Sequence, residues 1–263
     1  RALGSTVSTL SDVDNVVIDT EEQALYALRL LKNHVEACTA RPELDAAVDE
    51  EASCKCFMAV DFEYDMNTAG IDVAQVAAGP HVFVFDTFIL PWVLRESSRQ
   101  GVDTLRAHFI NVAVLKVTQA AAGGDMTKLR SEGIEMAPVL DTAYADVLLR
   151  GGSQMRGLDV LVSEHVGQGL MTHKQTVRHY PGLWRKRPLT TELVEYARQD
   201  VEWSCALGRR LRELAQQAGI LDLVYETHLF YSRRRHNTPT SALAVITDGE
   251  EVVVDRGTGE PPM

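Results

Sequence analysis

Cysteine and tryptophan are scarce in this chain of 263 residues, which has four Cys and three Trp. Cys54 and Cys56 are separated by one residue, a spacing too tight for a usual zinc knuckle, and no C-x-x-C pair or histidine cluster accompanies them. Structural zinc is therefore not expected. The cysteines are interpreted as free thiols in a reducing compartment.

Long apolar runs are also missing. No apolar stretch approaches the roughly 20 residues that span a bilayer, and the N-terminal sequence, which begins at Arg1, has no signal-peptide pattern. These two absences argue against a membrane protein. We therefore expect an intracellular protein that is nuclear, cytoplasmic or organellar.

Positive charge is in deficit, because the formal net charge is −11 at pH 7. A protein that coats duplex nucleic acid carries a basic surface, so this balance argues against such a partner. One segment differs: residues 165–191 contain no Asp or Glu but do contain Lys174, Arg178, Arg185, Lys186 and Arg187. An acidic chain with one basic segment is typical of an enzyme that binds a short piece of polyanion.

The hydrophobic fraction, 45%, is that of a globular protein. Apolar patterns and turn signals predict strands at 14–19, 57–64, 72–77, 82–85, 112–117 and 139–140, and helices at 21–36, 91–109, 125–132, 143–149, 158–165, 190–217 and 221–233. Two final strands, 242–246 and 251–254, flank Asp248-Gly249, a favoured hairpin turn. The pattern predicts an α/β fold, a mixed sheet flanked by helices, with a small C-terminal hairpin.

Two acids interrupt an apolar strand in the segment MAVDFEYD, residues 58–65. Burying a carboxylate is costly, and residues two apart on a strand face the same way, so Asp61 and Glu63 place two like charges side by side. A divalent cation removes that repulsion, and oxygen ligands favour Mg²⁺ or Mn²⁺. The pattern alone fits a strand end with two solvated acids equally well.

A second pair of polar groups lies on the predicted helix 190–217. Tyr196 and Asp200 are four residues apart, so they share one face of that helix and could hold a metal ion and its water. The alternative is a half-buried tyrosine beside a surface acid. Asp125, after Gly123-Gly124, opens another predicted helix, where it could serve as an N-cap, as a site acid or as both.

In order and spacing, these residues resemble the DEDD superfamily of 3′→5′ exonucleases, in its tyrosine branch. The segments FMAVDFEYD (57–65) and DVAQVAAGPHVFVFDT (72–87) resemble its first motif and the two strands that follow, KVTQAAAGGDMTKL (116–129) its second and LWRKRPLTTELVEYARQDV (183–201) its third. The lead-in W-x-x-R-P-L-T is similar to that of RNase D and Egalitarian-type domains. The resemblance covers residues 14–216 and implies an RNase H-like exonuclease domain over 1–236, with 237–263 as a tail.

The resemblance also implies a role for each motif residue. Asp61 and Asp200, helped by Glu63, would hold the divalent ion that activates water, and Asp61 and Asp125 would hold a second ion beside the leaving oxygen. Tyr196 would orient the attacking water. Two ions used in this way are the arrangement of two-metal phosphoryl transfer.

The second motif departs from the family pattern. The spacing between Lys116 and Asp125 is one residue longer than expected, and Gln119 and a run of alanines replace the usual polar or histidine residues. Asp125 is nevertheless the only acid between Asp103 and Glu132. Asp141, in contrast, is expected to support the structure near the site rather than to bind metal.

Several other residues are candidates for contact with the 3′ end of a single strand, since such sites combine basic groups with aromatic surfaces. The candidates are Phe62 and Met66 beside the acids, Lys174, Arg178, Arg185 and Arg187 in the basic segment, and Trp184 as a stacking ring. For the basic segment the alternative is a solvated loop, and for Trp184 it is core packing. A second basic cluster, residues 233–236, could guide the entering strand.

Three functions remain open on the sequence. The first is removal of nucleotides from the 3′ end of single-stranded RNA, as in an organellar RNase D that trims 3′ tails, for example the guide-RNA-trimming enzyme of kinetoplastid mitochondria; a mitochondrial location is then expected. The second is an exonuclease on DNA ends, like Werner-type domains, because a contact to the ribose 2′-OH is not visible in sequence. The third is a catalytically silent RNA-binding scaffold on the same fold.

Overall fold

The computed structural model of this chain describes residues 17–40, 57–65, 67–121, 124–169, 181–225, 244–247 and 250–253. Of the candidate site residues, Met66, Lys174 and Arg178 lie outside the described residues, as do both cysteines of the Cys54/Cys56 pair and the basic cluster 233–236. The chain divides into two compact units, residues 1–228 and residues 229–263. Among the described residues, no helix is both long and apolar enough to cross a membrane.

The first unit is built on a mixed sheet of six strands. The strands, in chain order, are β1 (Val17–Ile18), β2 (Phe57–Glu63), β3 (Val73–Ala78), β4 (His81–Phe85), the short pair β5 (Ser98–Arg99) and β6 (Val102–Asp103), β7 (Leu115–Thr118) and β8 (Val139–Asp141). The six-stranded sheet has the order β1-β4-β3-β2-β7-β8. Strands β2, β3 and β4 are antiparallel neighbours, whereas β1 pairs with β4, β7 with β2 and β8 with β7 in parallel. The predicted α/β fold with an RNase H-like mixed sheet is confirmed.

Helices cover both faces of this sheet. They are α1 (Glu21–Thr39), α2 (Trp92–Arg95), α3 (Leu105–Ile110), α4 (Asp125–Ser131), α5 (Thr142–Arg150), α6 (Leu158–Val166), α7 (Thr191–Glu202) and α8 (Ser204–Gln217), with a 3₁₀ turn at Leu183–Arg185 and a helical segment at 221–225. Helix α1 begins as predicted, with a capping box in which the Thr20 hydroxyl accepts from the backbone N–H of Gln23 at 3.3 Å.

Strand alternation divides the core into two layers. On β2, Met58, Val60 and Phe62 belong to the cluster that contains the buried residues of α1 and α3, whereas Phe57 and Ala59 belong to the cluster on the α8 side. Because side chains alternate along a strand, Asp61 and Glu63 lie on the α8 side with Phe57 and Ala59. The sheet therefore presents both acids to the layer that also contains α7.

The predicted helix 190–217 was wrong as a single element, because it is divided at Trp203 into α7 and α8. The Ser204 hydroxyl donates a 2.9 Å hydrogen bond to the carbonyl oxygen of Asp200. In a regular helix, that carbonyl oxygen accepts from the backbone N–H of the residue four positions later. Such a bond back to the preceding turn bends helices. The break leaves Asp200 in the last turn of α7.

The predicted helix 91–109 was also wrong as one element. The hairpin of β5 and β6 separates α2 from α3, with Gln100 and Gly101 as its two-residue turn. Both turn residues have positive φ, at 50° and 75°. A turn with positive φ at both central positions suits the twist of paired strands and is incompatible with a continuing helix.

The second unit contains an antiparallel hairpin of β9 (Ala244–Thr247) and β10 (Glu250–Val253). The predicted strands 242–246 and 251–254 are confirmed with shifts of one to two residues at their ends. The proposed turn residues Asp248 and Gly249 lie outside the described part of the chain.

Candidate active site

Three carboxylates from two distant parts of the chain meet beside the sheet. Asp61 and Glu63 come from the end of β2 and Asp200 from α7, and one carboxylate oxygen of each lies within 4.8 Å of the other two. Asp200 is buried and the two strand acids are half-buried. The structure therefore brings together the two pairs of residues that the sequence places 139 positions apart, from 61 to 200.

Helix α7 is held against the sheet by its apolar face. Leu193 and Ala197 are buried in one cluster with Val73 of β3 and Val84 of β4. Thr190 is the N-cap of this helix, and its hydroxyl accepts from the backbone N–H of Leu193 at 3.4 Å. This packing directs the face that carries Tyr196 and Asp200 toward the end of β2.

Tyr196 lies beside the three acids. Its hydroxyl is hydrogen-bonded to the carboxylate of Asp200, and burial together with the charges of Asp200, Glu63 and Asp61 raises the pKa of Tyr196 above its usual range. A phenol whose pKa is raised stays protonated at neutral pH. Tyr196 therefore acts as a hydrogen-bond donor to the neighbouring carboxylate.

The electrostatics of Asp61 fit a bound cation. Burial, Asp200, Asp125 and Glu63 raise the pKa of Asp61 well above its ordinary range. Crowded carboxylates in low dielectric either take up a proton or bind a positive ion. The oxygen-only donor set of Asp61, Glu63 and Asp200 is the kind that Mg²⁺ and Mn²⁺ prefer.

Asp125 reaches the site from the first turn of α4. Its Oδ1 accepts a 2.9 Å hydrogen bond from the hydroxyl of Tyr64, the residue directly after Glu63. Burial, together with the charge of Asp141, raises the pKa of Asp125 to about 7, against the opposing effect of the Tyr64 hydrogen bond. Asp125 and Asp61 interact electrostatically, which places Asp125 with the cluster rather than on the surface.

Asp141 holds the loop that precedes Asp125. Its carboxylate accepts from the backbone N–H groups of Ala120 at 2.9 Å, Ala121 at 3.0 Å and Ala143 at 3.0 Å, and it caps α5. These bonds use both carboxylate oxygens. Asp141 thus supports the backbone near the site, as the sequence predicts, and does not belong to the cluster of Asp61, Glu63 and Asp200.

Tyr64 is a site residue that the sequence analysis missed. Besides its bond to Asp125, its ring lies 5.0 Å from the Lys128 ammonium group, and Lys128 donates to the backbone oxygens of Asp65 and Thr68. The loop after β2 and the first turn of α4 are therefore tied together at two points. The only sequence signal for this role is the position of a tyrosine directly after D-x-E.

Gly124 leaves room for the Tyr64 hydroxyl. A Cβ atom at position 124 would lie 2.1 Å from that oxygen, far inside van der Waals contact. The φ of Gly124 is −121°, which other residues also adopt. A small residue is thus required here by the tyrosine side chain and not by the backbone conformation.

Two of the predicted aromatic contacts with substrate are wrong. Phe62 lies on the opposite face of β2 from Asp61, is 5% exposed and packs edge-on against Phe109 with ring centroids 5.7 Å apart. Trp184 is 6% exposed and belongs to the α7 cluster, with its ring 6.0 Å from that of Tyr196. For Trp184 the core-packing alternative is the correct one, and its ring lies beside that of Tyr196 in this buried cluster.

Arg185 and Arg187, the two arginines of the basic segment that the structure describes, form ion pairs within the protein. Arg185 Nε lies 3.0 Å from an oxygen of Asp72, and Arg187 donates to an oxygen of Asp86 at 2.6 Å. Both acids are buried. These pairs attach the segment before α7 to the sheet beside the start of β3 and the end of β4, so both predicted phosphate contacts are engaged with acids of the protein itself.

Comparison with known proteins agrees with this geometry. A model of a 3′-5′ exonuclease family matches residues 16–216 of the chain. The chain belongs to this 3′-5′ exonuclease family. The match spans both halves of the exonuclease site, from β2 through α7, so the predicted resemblance to the superfamily is confirmed.

Relatives of this exonuclease domain include ribonuclease D of Acidiphilium cryptum, 29% identical over 69% of this chain and 43% of the relative. The exosome complex component 10 homolog of Drosophila melanogaster is 25% identical over 88% of this chain and 22% of its own length. The catalytic core of RRP6 from Trypanosoma brucei superposes with a TM-score of 0.58 at 20% identity, over 82% of this chain and 51% of that core. These relatives agree with the RNase D type of the resemblance, and the chain spans less than half the length of the two curated ones.

Exonucleases of this family use divalent metal ions, and the acidic cluster of this exonuclease domain is suited to hold them. The donor set is all oxygen, and Asp61 carries repulsion from three neighbouring acids that a cation would relieve. The general expectation of a divalent-metal enzyme therefore agrees with both the family and the site.

Proposed function

We propose that this exonuclease domain removes nucleotides one at a time from the 3′ end of single-stranded RNA and releases nucleoside 5′-monophosphates. The observation that carries the proposal is the meeting of Asp61, Glu63 and Asp200 within 4.8 Å beside Asp125 and Tyr196. RNA is favoured over DNA because the matched relatives bear the names ribonuclease D and exosome complex component 10 homolog.

Two divalent cations, Mg²⁺ or Mn²⁺, are the proposed cofactors. Asp61, Glu63 and Asp200 would hold one, and Asp61 with Asp125 would hold the other. When bound, such ions lower the pKa of a water molecule and stabilise the charge that develops on the leaving oxygen. The buried, mutually repelling carboxylates fit this role because a cation stabilises their ionised forms.

The protein's own groups then position the reactants. Tyr196, protonated and bonded to Asp200, orients a water beside that carboxylate. Tyr64 fixes one oxygen of Asp125 and leaves the other oxygen of the carboxylate for an ion. Lys174 and Arg178 remain the predicted contacts for substrate phosphates, whereas Arg185 and Arg187 are engaged with Asp72 and Asp86.

The physiological setting that we propose is trimming of the 3′ tails of small or guide RNAs, in a mitochondrion. The support for it is the sequence resemblance of the third motif and its lead-in to RNase D. Imaging of the tagged protein in its native cells, with sequencing of small-RNA 3′ ends after its depletion, tests it. Longer tails on organellar RNAs are expected, and unchanged tails or a non-mitochondrial location would refute it.

The proposed activity is tested with a 5′-labelled single-stranded RNA and a DNA of the same sequence, with Mg²⁺ or Mn²⁺. A ladder that shortens from the 3′ end in steps of one nucleotide is expected with RNA. It should vanish with a chelator and in Asp61→Asn, which keeps the size of the side chain but removes its charge. Glu213→Gln, a change at a surface acid paired with Arg210, is the matched control and should retain the ladder.

The outcomes separate the alternatives. A clear preference for DNA would replace RNA by DNA ends as the substrate. If neither strand is cleaved but RNA binds tightly, the protein is an RNA-binding scaffold without catalytic activity. Cleavage that survives in Asp61→Asn would refute the assignment of the site.

A further inference from the structure

An exposed aromatic ring lies directly after β4. Phe88 is 48% exposed and its neighbour Ile89 is 46% exposed, in a segment whose preceding residues, Asp86 and Thr87, are buried. A single exposed apolar residue is ordinary on a protein surface. The position of Phe88 and the groups around its ring make it different from the other exposed apolar residues.

Phe88 is connected to the acidic site through the backbone. The N–H of Asp72 donates to the carbonyl oxygen of Glu63 at 2.9 Å, and the N–H of Phe88 donates to the carbonyl oxygen of Asp72 at 3.0 Å. Each step corresponds to one spacing between hydrogen-bonded strands, so the two steps separate Phe88 from Glu63 by about 10 Å. The backbone of Phe88 thus lies at the same end of the sheet as that of Glu63.

Two guanidinium groups lie against the Phe88 ring. The Cζ atoms of Arg185 and Arg187 are 5.6 Å and 5.2 Å from its centroid. Both arginines belong to the segment before α7, the helix that supplies Tyr196 and Asp200, so Phe88 is on the α7 side of the sheet. An aromatic face with guanidinium partners is the kind of surface on which nucleobases stack.

The arrangement is fixed before any ligand arrives. Asp72 accepts from Arg185 through both carboxylate oxygens and also from the backbone N–H of Asp65. Asp86 holds Arg187 and accepts from the backbone N–H of Ile89 at 3.0 Å. Because the arginines and the Phe88 segment are both anchored, little conformational entropy is lost when a flat ligand stacks there.

We propose that Phe88, supported by Arg185 and Arg187, is a stacking platform for a nucleobase of the single-stranded substrate, upstream of the terminal nucleotide. This inference rests on the proposed exonuclease function and deepens it. The arginines retain a role in substrate binding, but through the ring that they support and not as free phosphate ligands. Since every base has a π face, the platform binds single strands without base preference.

The test uses Phe88→Ala and the conservative Phe88→Tyr, with Ile110→Ala as control because Ile110 is a similarly exposed apolar residue in α3. Affinity is measured by fluorescence anisotropy for RNA oligomers of two to eight nucleotides, in the Asp61→Asn background so that none is consumed. For the longer oligomers Phe88→Ala should weaken binding by about 5- to 150-fold, the range of one stacked base. Phe88→Tyr should restore binding to within a few-fold, and Ile110→Ala should leave it unchanged.

The length series locates the base. In the parent protein affinity should rise by a step at the length where a base reaches Phe88, and Phe88→Ala should flatten that step. A 2-aminopurine at that nucleotide should lose fluorescence on binding to the parent and not to Phe88→Ala. An unchanged length dependence in Phe88→Ala, with unchanged thermal unfolding of the variant, would overturn the platform.

Failure of the platform and failure of the exonuclease proposal give different results. If only the platform is wrong, the protein with Asp61 intact shortens RNA and Phe88→Ala does so with the same KM for long oligomers. If the exonuclease proposal is wrong, no variant shortens RNA, whatever Phe88 does to binding. With both correct, Phe88→Ala raises KM for long oligomers more than for dinucleotides.

Discussion

The substitution Gly124→Ala should break the hydrogen bond between Tyr64 and Asp125, although neither of these residues is itself replaced. The new Cβ would lie 2.1 Å from the Tyr64 hydroxyl but 3.5 Å from Cζ of the ring, so the oxygen alone is in conflict. The φ of Gly124 is −121°, so alanine there does not have to adopt the left-handed conformation. The hydroxyl must therefore move away, and Asp125 loses its donor.

The size of the effect follows from the bond that is lost. A hydrogen bond to a charged group contributes about 1.5–3 kcal/mol, so Gly124→Ala and Tyr64→Phe should each lower the free energy of unfolding by about that amount at pH 8, where Asp125 is ionised. In the Tyr64→Phe background the offending oxygen is absent and a 3.5 Å contact to the ring is ordinary. Adding Gly124→Ala to Tyr64→Phe should then lower the free energy of unfolding by little more, so the double variant should have about the stability of Tyr64→Phe alone.

Denaturant unfolding of the four proteins, without metal, measures this double-mutant cycle. The account predicts an interaction energy of about 1.5–3 kcal/mol between the two changes. The same variants should each need more Mn²⁺ for half-maximal cleavage, with no further increase in the double variant. If the losses of unfolding free energy in the two single variants add in the double variant to within about 0.5 kcal/mol, Gly124 and Tyr64 act independently, and the predicted coupling is refuted.

Three further predictions follow from the buried charges. Burial and neighbouring acids raise the pKa values of Asp61 and Asp125, so the folded metal-free protein holds protons that the unfolded chain releases. The free energy of unfolding therefore falls as the pH rises toward those raised pKa values. Asp61→Asn should therefore melt at a higher temperature than the parent at pH 8 without metal, and the difference should shrink toward pH 5; a lower melting temperature at pH 8 would contradict this. Lys116 is fully buried, and burial lowers its pKa to about 7. Its Nζ donates to the carbonyl oxygens of Asn111 at 2.6 Å and Val114 at 2.8 Å and to that of Ala137, so Lys116→Met, which removes this donor, should lower the free energy of unfolding by roughly 1–3 kcal/mol. A cost under about 1 kcal/mol in denaturant unfolding would exclude that role. If the Tyr196 hydroxyl orients the reacting water, as we propose, Tyr196→Phe should reduce kcat by roughly 10²- to 10³-fold with little change in KM; a change in KM alone would assign Tyr196 to binding.

The parts of the site that could be predicted are those set by local periodicity. Asp61 and Glu63 share a face because strand side chains alternate, and Tyr196 and Asp200 share a face because they are four apart on a helix. The same alternation rule excludes Phe62 from the site, since a residue between two site acids must point to the other face. That prediction could have been corrected from the sequence alone.

Other features depend on contacts between distant residues. The pairing of Arg185 with Asp72 joins residues 113 positions apart, and that of Arg187 with Asp86 joins residues 101 apart. No local pattern distinguishes these arginines from phosphate ligands. The position of the Tyr64 hydroxyl against Asp125 likewise depends on how α4 packs on the loop after β2.

The helix break at Trp203 and the hairpin at Gln100-Gly101 show a third limit. The break follows from one side-chain bond, from Ser204 to the carbonyl oxygen of Asp200, which competes with a helical backbone that the residues otherwise favour. The hairpin has a positive φ at Gln100, a residue without a strong preference for that conformation. At the hairpin the overall packing decides against the local tendency, whereas at Trp203 a nearby side chain competes with the helical backbone.

The central claim is that β2 and α7 bring carboxylates together where divalent ions bind. Calorimetric titration of the metal-free protein with Mn²⁺ at pH 8, for the parent, Asp61→Asn and the surface control Glu213→Gln, tests it most directly. Two bound ions are expected in the parent and the control. Both should be lost in Asp61→Asn, because Asp61 is the proposed ligand of each, and binding should be weaker at pH 6, where protons compete. Equal Mn²⁺ binding by Asp61→Asn and the parent would contradict it.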